Sequence, residues 1–152
     1  GGLSVGGTAE FHGSSFFYKL VTFVEKTVFK NDITLAGHIL TGGQAPVAQA
    51  LAAAGTPATG SDPVAVIATV DGNDNSGQLE VRVGENSTSG ELVSVIFSKA
   101  YAKAPRVFLT PLNSETSQAK YFVESTTDGF KILVVDAQAA GTTLKFNYWV
   151  VQ

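Results

Sequence analysis

The chain has no cysteine and no methionine, one tryptophan and two histidines among its 152 residues. Without thiols there is no disulfide framework, no cysteine nucleophile and no thiolate metal site. Charge is scarce as well: 15% of the residues are Asp, Glu, Lys or Arg, where about 25% is usual for a soluble domain. Much of the surface must then be Gly, Ser, Thr and Ala, or an interface with another subunit. The balance of 10 Lys and Arg against 13 Asp and Glu leaves a formal charge of -3 with no basic run. That argues against nucleic acid, whose phosphates demand clustered cations. No apolar run approaches the roughly 18 residues that cross a bilayer, so membrane insertion is not expected. An opening Gly1-Gly2 without Met reads as a fragment or a processed product.

What is present is a repeat. The first quarter divides without gaps into hexads: LSVGGT (3–8), AEFHGS (9–14), SFFYKL (15–20), VTFVEK (21–26), TVFKND (27–32) and ITLAGH (33–38). The third position is always large and apolar, namely Val5, Phe11, Phe17, Phe23, Phe29 and Leu35. Positions one and three share a side and position two faces away, which is the period of a strand. Positions four to six are mostly Gly, Asn, Asp, Lys and His, a composition that bends the chain. Each hexad thus reads as a three-residue strand and a corner. Five of the ten Phe fall between positions 11 and 29, and a 36-residue segment cannot bury them alone. Three chains wound about one axis can, as the sides of a triangular β-prism with the third-position side chains meeting inside. The expected partner is therefore the chain itself, as a homotrimer. A rival with the same period is the left-handed β-helix of the hexapeptide acyltransferases. The Phe row counts against it, and so do six hexads that make only about two coils. SFFYKL departs from the pattern, with Phe16 outward and Tyr18 and Leu20 in the corner. His12 and His38 sit at corner positions and read as solvated, so no metal site is expected.

Residues 42–62 are rich in Ala, Gly, Pro and Thr and read as a neck. Pro46 at a first helical position, VAQALAAA and then Gly55 predict a short helix. Beyond it, seven short strands follow one another without helices: 64–70, 78–83, 91–98, 105–112, 120–125, 129–135 and 143–151. That succession predicts an antiparallel β-sandwich head over 63–152. The expected architecture is all-β, with a trimeric stem over 1–41, the neck, and this head. Strand 143–151 is apolar on both faces, as if covered once by the core and once by a neighbouring subunit.

Two stretches of the head, FSKAYAKAPRVFL (97–109) and STTDGFKI (125–132), precede a closing aromatic strand, FNYWVV (146–151). Together they resemble the H-type lectin-like heads at the ends of trimeric phage tail fibres and bacterial adhesins. The resemblance covers about 60 residues. It implies a trimeric sandwich, sugars bound near subunit boundaries, and an extracellular place on a virion or cell surface. The expected function is attachment to a cell-surface receptor of glycan type; the alternative is a purely structural module that trimerises and caps a fibre.

DGNDNSG (71–77) matches the first half of a calcium loop, but Gly77 is one place late and Arg82 stands where the bidentate Glu belongs, so it reads as a turn. Asn86-Ser87-Thr88 has the form of a glycosylation acceptor and reads as part of a turn. Glu115, Glu124, Asp128 and Asp136 show no paired spacing, and no nucleophile elbow or phosphate loop is present. Neither an enzyme nor a cofactor is expected. If the head takes a sugar, the turn NSETSQ (113–118) offers Asn113, Glu115 and Gln118 for the hydroxyls, and Trp149 offers the apolar face.

Overall fold

From Gln78 to Arg82 the side chains alternate, with Leu79 and Val81 buried and Gln78 and Arg82 exposed. A strand with one dry face must find a second sheet to cover it. The computed structural model of this chain describes residues 4–49, 58–60 and 67–152. It divides the chain into two units, one reaching to His38 and one running from Ile39 to Gln152.

The second unit holds β1 (Val47–Gln49), β2 (Ile67–Gly72), β3 (Ser76–Arg82), β4 (Gly90–Ile96), β5 (Arg106–Pro111), α1 (Ser114–Gln118), β6 (Tyr121–Ser125), β7 (Gly129–Val134) and β8 (Thr143–Val151). These strands form two antiparallel four-stranded sheets, ordered β1-β4-β7-β6 and β2-β3-β8-β5. Their inner faces share one core, in a sandwich-like all-β arrangement. Phe130, Ile132 and Val134 of β7 and Val93 and Val95 of β4 come from the first sheet. Leu79 and Val81 of β3 and Leu144, Phe146 and Tyr148 of β8 come from the second, and all are buried. A register shift between Glu91 and Val93 lets Leu92 and Val93 both turn inward. Gly129 is required where β7 starts, because a Cβ there would lie 2.2 Å from the carbonyl oxygen of Val95.

All seven predicted strands are present, with ends shifted by up to two residues; the first three residues of the strand expected over 64–70 lie outside the described residues. Two local readings are corrected. Val47–Gln49 is a strand, paired with Ser94–Ile96, and not the first turn of a helix. Its three residues satisfy the open edge of β4, and that ladder outweighs the helical preference of an Ala-rich segment. The remainder of the predicted neck helix, residues 50–57, lies outside the described residues. The turn at 113–118 is a one-turn helix capped by Asn113, whose side-chain oxygen accepts from the backbone N–H of Thr116 at 3.1 Å.

The first unit is extended chain with bends at Gly6-Gly7, His12-Gly13, Tyr18-Lys19, Glu25, Lys30-Asn31 and Ala36-Gly37. Every bend falls at hexad position four or five. Among the described residues no hexad forms a strand ladder within the chain, since a three-residue strand has nothing in its own chain to pair with. Among the described residues the large apolar side chains at positions one and three range from 39% exposed at Val21 to 71% at Phe11, whereas Tyr18, Leu20 and Val24 at the corners are 91–94% exposed. The repeat is therefore a feature of the backbone as well as of the sequence.

Candidate functional site

The loop after β2 is tied together by Asn73. Its side-chain oxygen accepts from the backbone N–H groups of Asn75 (2.9 Å) and Ser76 (3.2 Å). Its amide donates to the carbonyl oxygen of Thr41 at 3.0 Å, and the Tyr148 hydroxyl donates to the Asn73 carbonyl at 2.7 Å. Asp74 accepts from the backbone N–H and hydroxyl of Ser98 (2.8 and 2.7 Å) and from the N–H of Lys99 (3.0 Å). Of the oxygens that a calcium reading would need, that of Asn73 is engaged within the loop and that of Asn75 accepts from the Tyr101 hydroxyl, and the segment is a turn. Among the described residues no three His, Asp or Glu side chains are grouped to hold a metal. Burial, followed by the charges of Asp74 and Asp71, pushes the Tyr148 hydroxyl up to about 12. It therefore remains a neutral donor at any ordinary pH.

The four residues proposed as a sugar site do not come together. Asn113 is committed to the fold: its oxygen also accepts from the Thr116 hydroxyl, and its amide donates to the Thr143 carbonyl at 2.7 Å. The buried Thr116 hydroxyl in turn accepts from the N–H of Lys145 at 2.7 Å. α1 is thereby riveted to the first residues of β8. Glu115 and Gln118 face a shallow hollow of about 340 Å³, whose other walls include Lys120, Asp136 and Gln138. Lys120 and Asp136 are ion-paired across it at 3.2 Å. Glu115 is held below the usual carboxylate value by a hydrogen bond from its own backbone N–H and then by the Ser114 hydroxyl.

Trp149 is elsewhere. It lies six residues beyond Thr143 along β8, roughly 20 Å away at about 3.3 Å per residue. The period of β8 sends Tyr148 into the core and Trp149 outward. There Trp149 is the register partner of Phe108 on β5 and of Ser76 on β3. The next rank on the same outer face is Gln78, Asn147 and Thr110, which are register partners across three strands. Together these residues line a concavity of about 430 Å³. Phe108, Gln78, Asn147 and Thr110 were not singled out from the sequence; the signal was there in the outward period of β5 and β3, but the pairing of β8 with both was not.

The third surface feature is a cleft of about 790 Å³ lined by Gly43, Gln44, Asp74, Lys99 and Tyr101. Tyr101 donates its hydroxyl to the Asn75 side-chain oxygen at 3.0 Å and packs edge-on against Phe97. These contacts account for its polar groups as scaffold. Comparison with protein-family models, with curated proteins and with solved structures finds no match.

Proposed function

We propose that this protein is a segment of a homotrimeric fibre, displayed on a virion or cell surface, in which residues up to His38 form the stem and the sandwich-like unit forms a head that attaches to a glycan-type receptor. The observation that carries the reading is the stem: six bends in step with six hexads, and a large apolar side chain at the third position of each hexad that its own chain leaves exposed. Leaving Phe11, Phe17, Phe23 and Phe29 in water is costly, and burying each is worth roughly 1.5–3 kcal/mol. Copies of the same chain are the economical cover, since they bring the same row in the same register.

In this reading the protein is not an enzyme. Its attachment surface is the hollow at Glu115 and Gln118, where a carboxylate and an amide face solvent beside Gln138 and can serve sugar hydroxyls as acceptor and donor. A second reading, in which the head only trimerises and caps the fibre, is favoured by the dispersal of Asn113 and Trp149 away from that hollow. Binding of the full chain to a glycan array and to intact cells separates the two. Saturable binding that is lost in the Glu115→Ala, Gln118→Ala double variant supports attachment through this hollow. Binding that survives both changes removes the hollow from the account, and no binding at all leaves the cap.

A further inference from the structure

We infer that the outer face of the β2-β3-β8-β5 sheet around Trp149 is where the heads of neighbouring chains meet. The inference rests on the trimer reading above for the number of copies, though not for the surface itself. Trp149 is 40% exposed and Phe108 is 57% exposed, and Val151 beside them is exposed too. Large apolar side chains in register on adjacent strands make a dry stripe that one chain leaves open to water.

The rank beside the stripe identifies what covers it. Gln78, Asn147 and Thr110 are neutral, and each both donates and accepts hydrogen bonds. Such a row can satisfy an identical row, whereas a row of one charge brought to a symmetry axis would meet its like. The next charges along the face, Glu80 and Lys145, are already paired within the chain at 2.8 Å. A second copy therefore finds aromatic surface, self-complementary amides and neutralised ions, which is the composition of an interface centre. The remaining charges, Asp71, Arg82 and Arg106, lie on the edge strands or at strand ends, where a rim would be.

The position along the chain agrees. The hydroxyls of Thr41 and Ser76 are 2.6 Å apart, and Ser76 is the register partner of Trp149. Thr41, near the start of this unit, is therefore at the Trp149 end of the sheet, and the Glu115 hollow is at the other end, around Thr142. The inference removes Trp149 from the sugar site and gives it to assembly.

Trp149 is the only indole, so its fluorescence reports on this face alone. The experiment is acrylamide quenching of the full chain, run beside its mass by light scattering, for the wild type and for Phe108→Glu. In a multimeric wild type the indole should be blue-shifted and shielded. Phe108→Glu, which alters a side chain outside the core, should raise the quenching constant several-fold. A multimer whose Trp149 is quenched as readily as a free indole overturns this inference and leaves the trimer reading standing. Shielding that arises only when sugars are added also overturns it, in favour of a glycan platform. A dimer or tetramer with shielded Trp149 keeps the inference and discards the threefold axis, and a monomer overturns both.

Discussion

Phe130 and Phe23 are the same side chain in two different situations. Phe130 is 1% exposed, enclosed by two sheets of its own chain and stacked near Phe97 and Tyr148 with ring centroids 5.9 and 5.7 Å apart. Phe23 is 64% exposed although its hexad is as regular as any strand of the head. The difference lies in how each unit closes. In the head, turns such as 73–75 fold the chain back on itself, so the apolar faces find each other within one molecule. In the residues up to His38 each bend turns the chain onward and the apolar row stays exposed; in the proposed trimer it meets the other chains. Under that proposal, regular patterning specifies a core without making it intramolecular.

Phe130→Ala should cost about 3–5 kcal/mol of head stability, measured by denaturant unfolding, and should do so at every protein concentration, dissociated chains included. Phe23→Ala should cost a similar amount per chain only in the assembled state, so its unfolding midpoint should move with concentration. If Phe23→Ala leaves stability unchanged at every concentration, the row is not a core.

The next effect belongs to the head alone. Tyr148 has a folded-state pKa of about 12 against an ordinary 10.0. A raised pKa stabilises the fold fully below pH 10 and loses that contribution as pH rises towards 12. The difference of about two pH units corresponds to about 3 kcal/mol. Head stability should therefore fall between pH 10 and 12, and Tyr148→Phe should remove most of that slope. The variant should cost about 1–3 kcal/mol at neutral pH, because the buried Asn73 carbonyl loses its donor. An unchanged alkaline slope in Tyr148→Phe would place the titration on another group.

How far the sequence carried these readings follows from the same contrast. Leu79, Val81 and Val83 reveal a half-buried strand because period 2 is local information. The hexads reveal their bends for the same reason. Val47–Gln49 was misread because its helical signals are local while its partner, Ser94–Ile96, is about 45 residues away. The α1 helix was missed although Asn113 followed by Glu115 in the first turn is a helix-start signal; one turn is too short for periodicity to register. The site was legible only in pieces. Composition could nominate Trp149 and the 113–118 segment, but which end of the sheets each occupies is fixed by the order β2-β3-β8-β5, which depends on non-local pairing.

Smaller effects sharpen the boundary between scaffold and surface. Asn113→Ala should destabilise the head by about 0.5–2 kcal/mol through loss of the cap, and it also frees the Thr143 carbonyl. Thermal unfolding measures it, and an effect confined to ligand binding would return Asn113 to the site. Glu115→Ala with Gln118→Ala should change stability by less than about 0.5 kcal/mol, as expected of exposed side chains outside the core. A larger loss would make that hollow part of the scaffold.

In the proposed trimer the stem's core is shared between chains. Light scattering of the full chain across a wide range of dilution tests it directly. The account predicts one species at three times the 15.8 kDa of the single chain, giving way to unfolded stem only when the trimer dissociates. A stable 15.8 kDa monomer with its aromatic row in water at all concentrations would contradict it.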